Sequence, residues 1–70
     1  MKIFAERLKQ LRQEQKKTQT EMAEYLGLKI RAYQYYESGG HYPEVPNLMK
    51  IADYFGVTTD YLLGRSDRRD

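Results

Sequence analysis

The sequence predicts an all-α fold, a compact bundle of five short helices in one domain. Apolar residues recur at intervals of three and four along most of the chain, the spacing that keeps them on one face of a helix. Glycines follow these stripes at Gly27, Gly39, Gly56 and Gly64, where a helix can end in a left-handed residue. No alternating pattern long enough for a strand, no internal repeat and no low-complexity segment interrupts them.

Seventy residues make a single domain. A chain of this size buries only ~60% of the surface its unfolded form exposes, so its helices must pack efficiently. Cysteine is absent, which excludes a disulfide framework, thiolate metal sites and a thiol nucleophile. There is no long apolar run for a membrane span and no basic-then-apolar N-terminal signal, so the expectation is a soluble, cytoplasmic protein. A formal net charge of +2 is compatible with nucleic acid without demanding it. Seven tyrosines and no tryptophan say more, because tyrosine suits places where a ring is buried and its hydroxyl stays wet.

The first helix is expected over Met1 to Gln15, with Phe4, Leu8 and Leu11 inward and Glu6, Lys9, Gln10 and Gln13 solvated. Arg12 lies beside the apolar stripe and not opposite it, which points to a partner. Gln15, Lys16 and Lys17 form a polar break. Helix two opens on Thr18-Gln19-Thr20-Glu21, a capping box, and turns Met22, Ala23 and Leu26 inward before Gly27 ends it. Lys17 stands where a hydrophobic staple residue would face Met22.

Helix three is expected from about Lys29 to Glu37, stopped by Ser38-Gly39-Gly40. Its spacing puts Ile30, Arg31, Gln34, Tyr35 and Ser38 on one outward arc, with Ala32, Tyr33 and Tyr36 facing a core. Such a face suits a reader of the DNA major groove, and equally any amphipathic surface helix. His41-Tyr42-Pro43 is a loop, with Tyr42 extended before proline. Helix four reads from about Glu44 to Phe55, with Pro46 in its first turn and an inner stripe of Val45, Leu48, Ile51, Ala52 and Phe55. Thr58 caps a short fifth helix that carries Tyr61, Leu62 and Leu63 and ends at Gly64. The domain is therefore drawn at 1–64, with 65–70 a charged, flexible tail.

FAERLKQLR, TQTEMAEYLG, YQYYESG and NLMKIADYFGVTTDYLLG, in that order, resemble the Cro and phage-repressor (XRE) family of helix-turn-helix proteins, from about Phe4 to Gly64. The family's small residue matches Ala23, its turn glycine Gly27, and its Tyr-Glu-x-Gly ending Tyr36, Glu37 and Gly39. The resemblance places the helix-turn-helix at 19–38. The chain departs from the pattern in three places. Tyr33 stands where Ile or Val is usual, so a larger ring must enter the core or lean out at its edge. Lys29 stands where a Ser or Thr cap is usual, which weakens that terminus by roughly 1 kcal/mol. The loop Gly40-His41-Tyr42-Pro43-Glu44 is less basic than the family's.

The resemblance implies double-stranded DNA as the partner and a role as a small transcriptional regulator, a repressor dimer on an inverted repeat. Base contacts are expected from Ile30, Arg31, Gln34 and Tyr35, with the Arg31 fork suited to guanine O6 and N7. Backbone contacts are expected from Gln19 at the positive end of helix two, and from Lys17, Lys29 and Tyr42, with Lys16 adding attraction. Arg12 and Glu37 match a pair that ties helix one to the end of helix three. Tyr61, Leu62 and Leu63 are either a homodimer surface or the closure of the core.

A second reading keeps the fold but not the groove chemistry. It is an antitoxin-like adaptor holding a protein through Tyr33, Tyr35 and Tyr42. No enzyme, cofactor or metal site is expected, because His41 is the single histidine and no phosphate-cradling glycine loop precedes a lysine.

Overall fold

The computed structural model describes residues 2–70, so the Met1 start of the first expected helix lies outside the described residues. Five helices follow in order: α1 (Lys2–Glu14), α2 (Gln19–Leu26), α3 (Ile30–Ser38), α4 (Val45–Phe55) and α5 (Thr59–Leu63). No strand occurs among the described residues.

Each helix boundary has a local cause. The Thr18 hydroxyl accepts the Glu21 N–H at 3.0 Å, and the Glu21 carboxylate accepts the Thr18 N–H at 2.8 Å, completing the capping box of α2. Gly27 ends α2 at φ 70°. Thr58 caps α5 by accepting the Tyr61 N–H. Lys29 and Glu44 begin α3 and α4 with no side-chain cap, so those termini rest on packing. The polar break after α1 holds a feature the sequence did not announce. Lys16 adopts φ 57°, a left-handed conformation without glycine. That geometry returns the Lys17 N–H to the Arg12 carbonyl, closing the last turn of α1.

The core gathers one face of every helix: Phe4, Leu8 and Leu11 from α1, Met22, Ala23 and Leu26 from α2, Tyr33 and Tyr36 from α3, Ile51 and Ala52 from α4, and Tyr61 and Leu62 from α5. Leu8, Met22, Ile51 and Leu62 are fully enclosed. Burying each contributes on the order of 1.5–3 kcal/mol. α1 lies against both α3 and α5, and so spans the two ends of the fold.

Three sequence expectations change here. Val45 is 67% exposed, although its spacing placed it on the inner stripe. It is the first residue of α4, one turn before Leu48, where the core has run out. Tyr33 is fully buried, so it cannot belong to a tyrosine-rich adaptor surface with Tyr35 and Tyr42. Tyr61 and Leu62 are buried within this chain and take the core-closing role; only Leu63 of that trio keeps part of its surface.

Residues 65–70, expected to be a flexible charged tail, run back along α5 toward α1. The Arg69 carbonyl accepts the Thr58 N–H at 2.8 Å, and the Arg69 guanidinium grips both oxygens of Glu14 at 2.8 Å. Arg7 donates to the carbonyls of Tyr61 and Ser66 and to Asp67. Its guanidinium lies 4.2 Å from the centre of the Tyr61 ring, and that of Arg69 lies 5.4 Å from it.

Candidate nucleic-acid interface

The geometry of α3 is set from behind, by Glu37. Its carboxylate side chain is only 4% exposed, a position an unpaired charge could not hold. Arg12 reaches it as a fork, Nε to Oε2 at 2.6 Å and Nη2 to Oε1 at 3.1 Å, while Nη1 donates to the Lys17 carbonyl at 2.9 Å. The Tyr33 hydroxyl donates to Oε2, and Gln19 Nε2 donates to Oε1 at 3.1 Å. One carboxylate thus takes donors from α1, α2 and α3. Burial alone would raise the Glu37 carboxyl, but the hydrogen bonds from Arg12, Tyr33 and Gln19 outweigh it and hold it below its ordinary value. Burial, and then Glu37, push the Tyr33 phenol well above the usual tyrosine range. No buried polar side-chain atom among the described residues lacks a partner.

Tyr33 therefore resolves the departure noted in its position. The ring fills core volume between α1 and α3, edge-on to Tyr36 at 6.1 Å, while the hydroxyl answers Glu37 one turn along the same helix. That i, i+4 spacing and the inward direction of Tyr33 are both visible in the sequence; that the hydroxyl meets a carboxylate also held by α1 and α2 is not.

On the outward side, Ile30, Arg31, Gln34 and Tyr35 all lie exposed on α3, as the spacing required. Ile30 is 39% and Tyr35 46% exposed, within the range of the chain's other exposed large hydrophobic residues, such as Tyr25 at 43% and Met49 at 55%. The Tyr35 ring meets His41 edge-on at 5.1 Å. Gln34 Nε2 donates to Gln19 Oε1 at 3.2 Å, so the first residue of α2 and the middle of α3 share one amide chain. The Gln19 and Thr20 N–H groups stand at the positive end of α2, where a helix has no carbonyl of its own to offer them.

Apart from Ile30, which lines neither, and Lys17, the expected contact residues line two recesses. Gln19 and Gln34 line a recess of about 270 Å³ with Glu37, Ser38 and Lys9. The sequence places Lys9 on a solvated face, because its approach to α3 depends on how α1 crosses it. Lys29, Arg31, Tyr35 and Tyr42 line a second, open groove of about 600 Å³ on the α4 side. Tyr42 is 42% exposed, and its ring also rests edge-on against Phe4 at 5.8 Å. Lys17 stands apart from both, half-buried before α2, with its carbonyl engaged by Arg12. Among the described residues no three or more His, Asp or Glu side chains group as a metal site. No helix among them is long and apolar enough to cross a membrane.

Residues 8–62 match the helix-turn-helix family. The chain is 45% identical over 65 residues to the cryptic phage CTXphi transcriptional repressor RstR of Vibrio cholerae serotype O1, covering 93% of this chain and 57% of that protein. It is 40% identical over 68 residues to YqaE of Bacillus subtilis, named an uncharacterized HTH-type transcriptional regulator, covering 96% of this chain and 59% of that protein. Over 60 residues it is 42% identical to the HTH-type transcriptional activator BcrR of Enterococcus faecalis, covering 86% of this chain and 29% of that protein. The chain thus spans less than three-fifths of the length of each of these relatives. No solved structure matches it significantly. With α2 and α3 joined at Gly27, Glu37 anchored to Arg12 and the match running from α1 into α5, the chain belongs to the Cro and phage-repressor (XRE) family of helix-turn-helix proteins.

Proposed function

We propose that the chain binds double-stranded DNA sequence-specifically as a transcriptional regulator, with α3 in the major groove and the N-terminus of α2 against the backbone. One observation carries this reading. Ile30, Arg31, Gln34 and Tyr35 form one exposed face of α3, and Gln34 of that face is bonded to Gln19 at the end of α2. A helix that reads bases and a helix end that favours phosphate are thereby fixed in register.

Arg31 supplies a planar fork for guanine, Gln34 a donor–acceptor pair for adenine, and Ile30 an apolar contact for a thymine methyl. Tyr35 meets sugar or phosphate beside them. Lys17, Lys29 and Tyr42 act on the backbone, where attraction is independent of sequence. Repression is the reading favoured by the name of RstR, although BcrR is named an activator. One α3 spans only a few base pairs, so we infer a two-fold dimer on an inverted repeat, with half-sites about one helical turn apart.

The test is selection of bound sequences from a random duplex pool at about physiological salt. An enriched inverted repeat is expected. Arg31→Ala should relax one base position, at a cost of roughly 1–3 kcal/mol. Failure of the wild-type chain to enrich any sequence, or binding to a protein partner with little salt dependence, would overturn the reading.

A further inference from the structure

The hydrogen bonds behind α3 have a direction. A carboxylate only accepts, so Glu37 admits Gln19 in one orientation, with Nε2 toward Oε1. That choice turns the Gln19 carbonyl oxygen away from Glu37 and toward α3, where Gln34 Nε2 donates to it at 3.2 Å. The orientation of each amide follows from the group before it. Arg12 and Tyr33 hold the start of this chain, occupying the carboxylate from α1 and from its own helix. Because the Glu37 side chain is only 4% exposed, water has little access to the Glu37 end of a reversed Gln19 amide, while the Gln19–Gln34 bond itself lies at the exposed surface.

We propose that Glu37 is a positioning residue whose charge sets the amide polarity of Gln19 and, through it, that of Gln34. The proposal rests on the reading of α3 as the base-reading helix. With one Nε2 proton committed to Gln19, Gln34 shows the groove a remaining N–H and its carbonyl oxygen in a fixed order. Adenine offers the matching order, N7 as acceptor and the N6 amino group as donor. A reversed Gln34 amide sets donor against donor and acceptor against acceptor. An unrestrained glutamine samples both orders and loses that freedom only on binding, so the relay sharpens recognition by preorganisation. Tyr33 takes part through its hydroxyl, which the isoleucine or valine usual at this position could not supply.

Two measurements test this, one without DNA. By NMR of the free protein, the side-chain amide protons of Gln19 and Gln34 should exchange with water several-fold more slowly than those of Gln10, Gln13 and Gln15, which are exposed on α1 and just after it. Gln19→Ala leaves Arg12, Tyr33 and Glu37 in place and should bring Gln34 to the rate of the exposed glutamines. Gln34 protons that exchange at that rate already in the wild type overturn the relay, whatever the protein binds. In selection from random duplex DNA, the position relaxed by Gln34→Ala marks its base. Gln19→Ala and Glu37→Gln should lower the preference there about three- to tenfold, the scale of freezing one side chain. The position relaxed by Arg31→Ala should not change. Unaltered preference at the Gln34 position in both variants, each checked to be folded, overturns the proposal. A wild-type protein that enriches no sequence refutes base reading instead, and leaves the relay to be decided by exchange.

Discussion

Replacing Glu37 by alanine removes one side chain and strands three others. Arg12, whose side chain is 13% exposed, keeps the Lys17 carbonyl but loses both carboxylate oxygens. The Tyr33 hydroxyl, on a fully buried residue, loses its acceptor, and so does Gln19 Nε2. Breaking a buried pair from one side costs about 3–5 kcal/mol, and the partial exposure of Arg12 sets this case at about 3 kcal/mol. A domain of this size holds roughly 4–10 kcal/mol in all. The midpoint of thermal unfolding, followed by circular dichroism at 222 nm and pH 7, should fall by roughly 12–24 °C. The paired replacement Arg12→Met with Glu37→Met should recover only the part due to the stranded guanidinium, because the buried Tyr33 hydroxyl and Gln19 Nε2 still lack their acceptor. A Glu37→Ala midpoint within about 5 °C of wild type would refute the reasoning, as would a double variant whose loss equals the sum of the singles.

The same pair fixes a pH dependence. The Glu37 carboxyl titrates below its ordinary value of 4.5 in the folded state, because its hydrogen bonds outweigh its burial. The unfolded chain therefore binds the proton more readily. The contribution of the pair is present in full above about pH 4.5 and is lost as pH falls through the lower folded-state value. Glu37→Gln should flatten that acid limb; an unchanged slope would show that other carboxylates govern it.

Two further comparisons separate causes elsewhere in the fold. Arg7 has a side chain 15% exposed, holds two carbonyls and covers the Tyr61 ring, whereas Arg69 and Glu14 are 42% and 40% exposed. Arg7→Ala should cost about 1.5–3 kcal/mol in urea unfolding and Arg69→Ala less than about 1 kcal/mol; the reverse order would show that the exposed fork governs. Gly64 and Gly27 both have positive φ, but a Cβ on Gly64 would lie 2.8 Å from Ile3 Cγ2, while one on Gly27 would meet nothing within 4 Å. Gly64→Ala should therefore lose more stability than the roughly 1 kcal/mol expected of Gly27→Ala, and Ile3→Ala should relieve the difference.

Most of the fold was legible because its boundaries are written locally. Thr18 with Glu21, Gly27, Thr58 and Gly64 mark helix ends by mechanisms that act within one turn. Val45 misled because periodicity tells which way a residue points and not whether anything stands there to cover it. The outward face of α3 was legible for the same reason that its backing was only half so. Arg12 and Glu37 could be paired through the resemblance, but the contribution of Gln19 depends on how α2 meets α3, and that of Tyr33 on the core that encloses its ring. The Gln19–Gln34 bond and the approach of Lys9 to α3 join residues far apart in the chain, and no local pattern announces either. The contacts of Arg7 with Tyr61 and of Arg69 with Glu14 span 54 and 55 residues, beyond any periodic signal.

Those two long contacts also bear on how the domain assembles. Helix caps form between neighbours and can close within a single turn. The contacts joining α1 to residues 58–69 close a loop of nearly the whole chain, whose entropy must be met before any of them gains. Since Arg7 and Glu14 lie on the same helix, opening that loop at one removes the orientation that favours the other. Residues 58–69 are therefore expected to be held to α1 cooperatively, and native-state hydrogen exchange that gave them an opening free energy unrelated to that of α1 would refute the coupling.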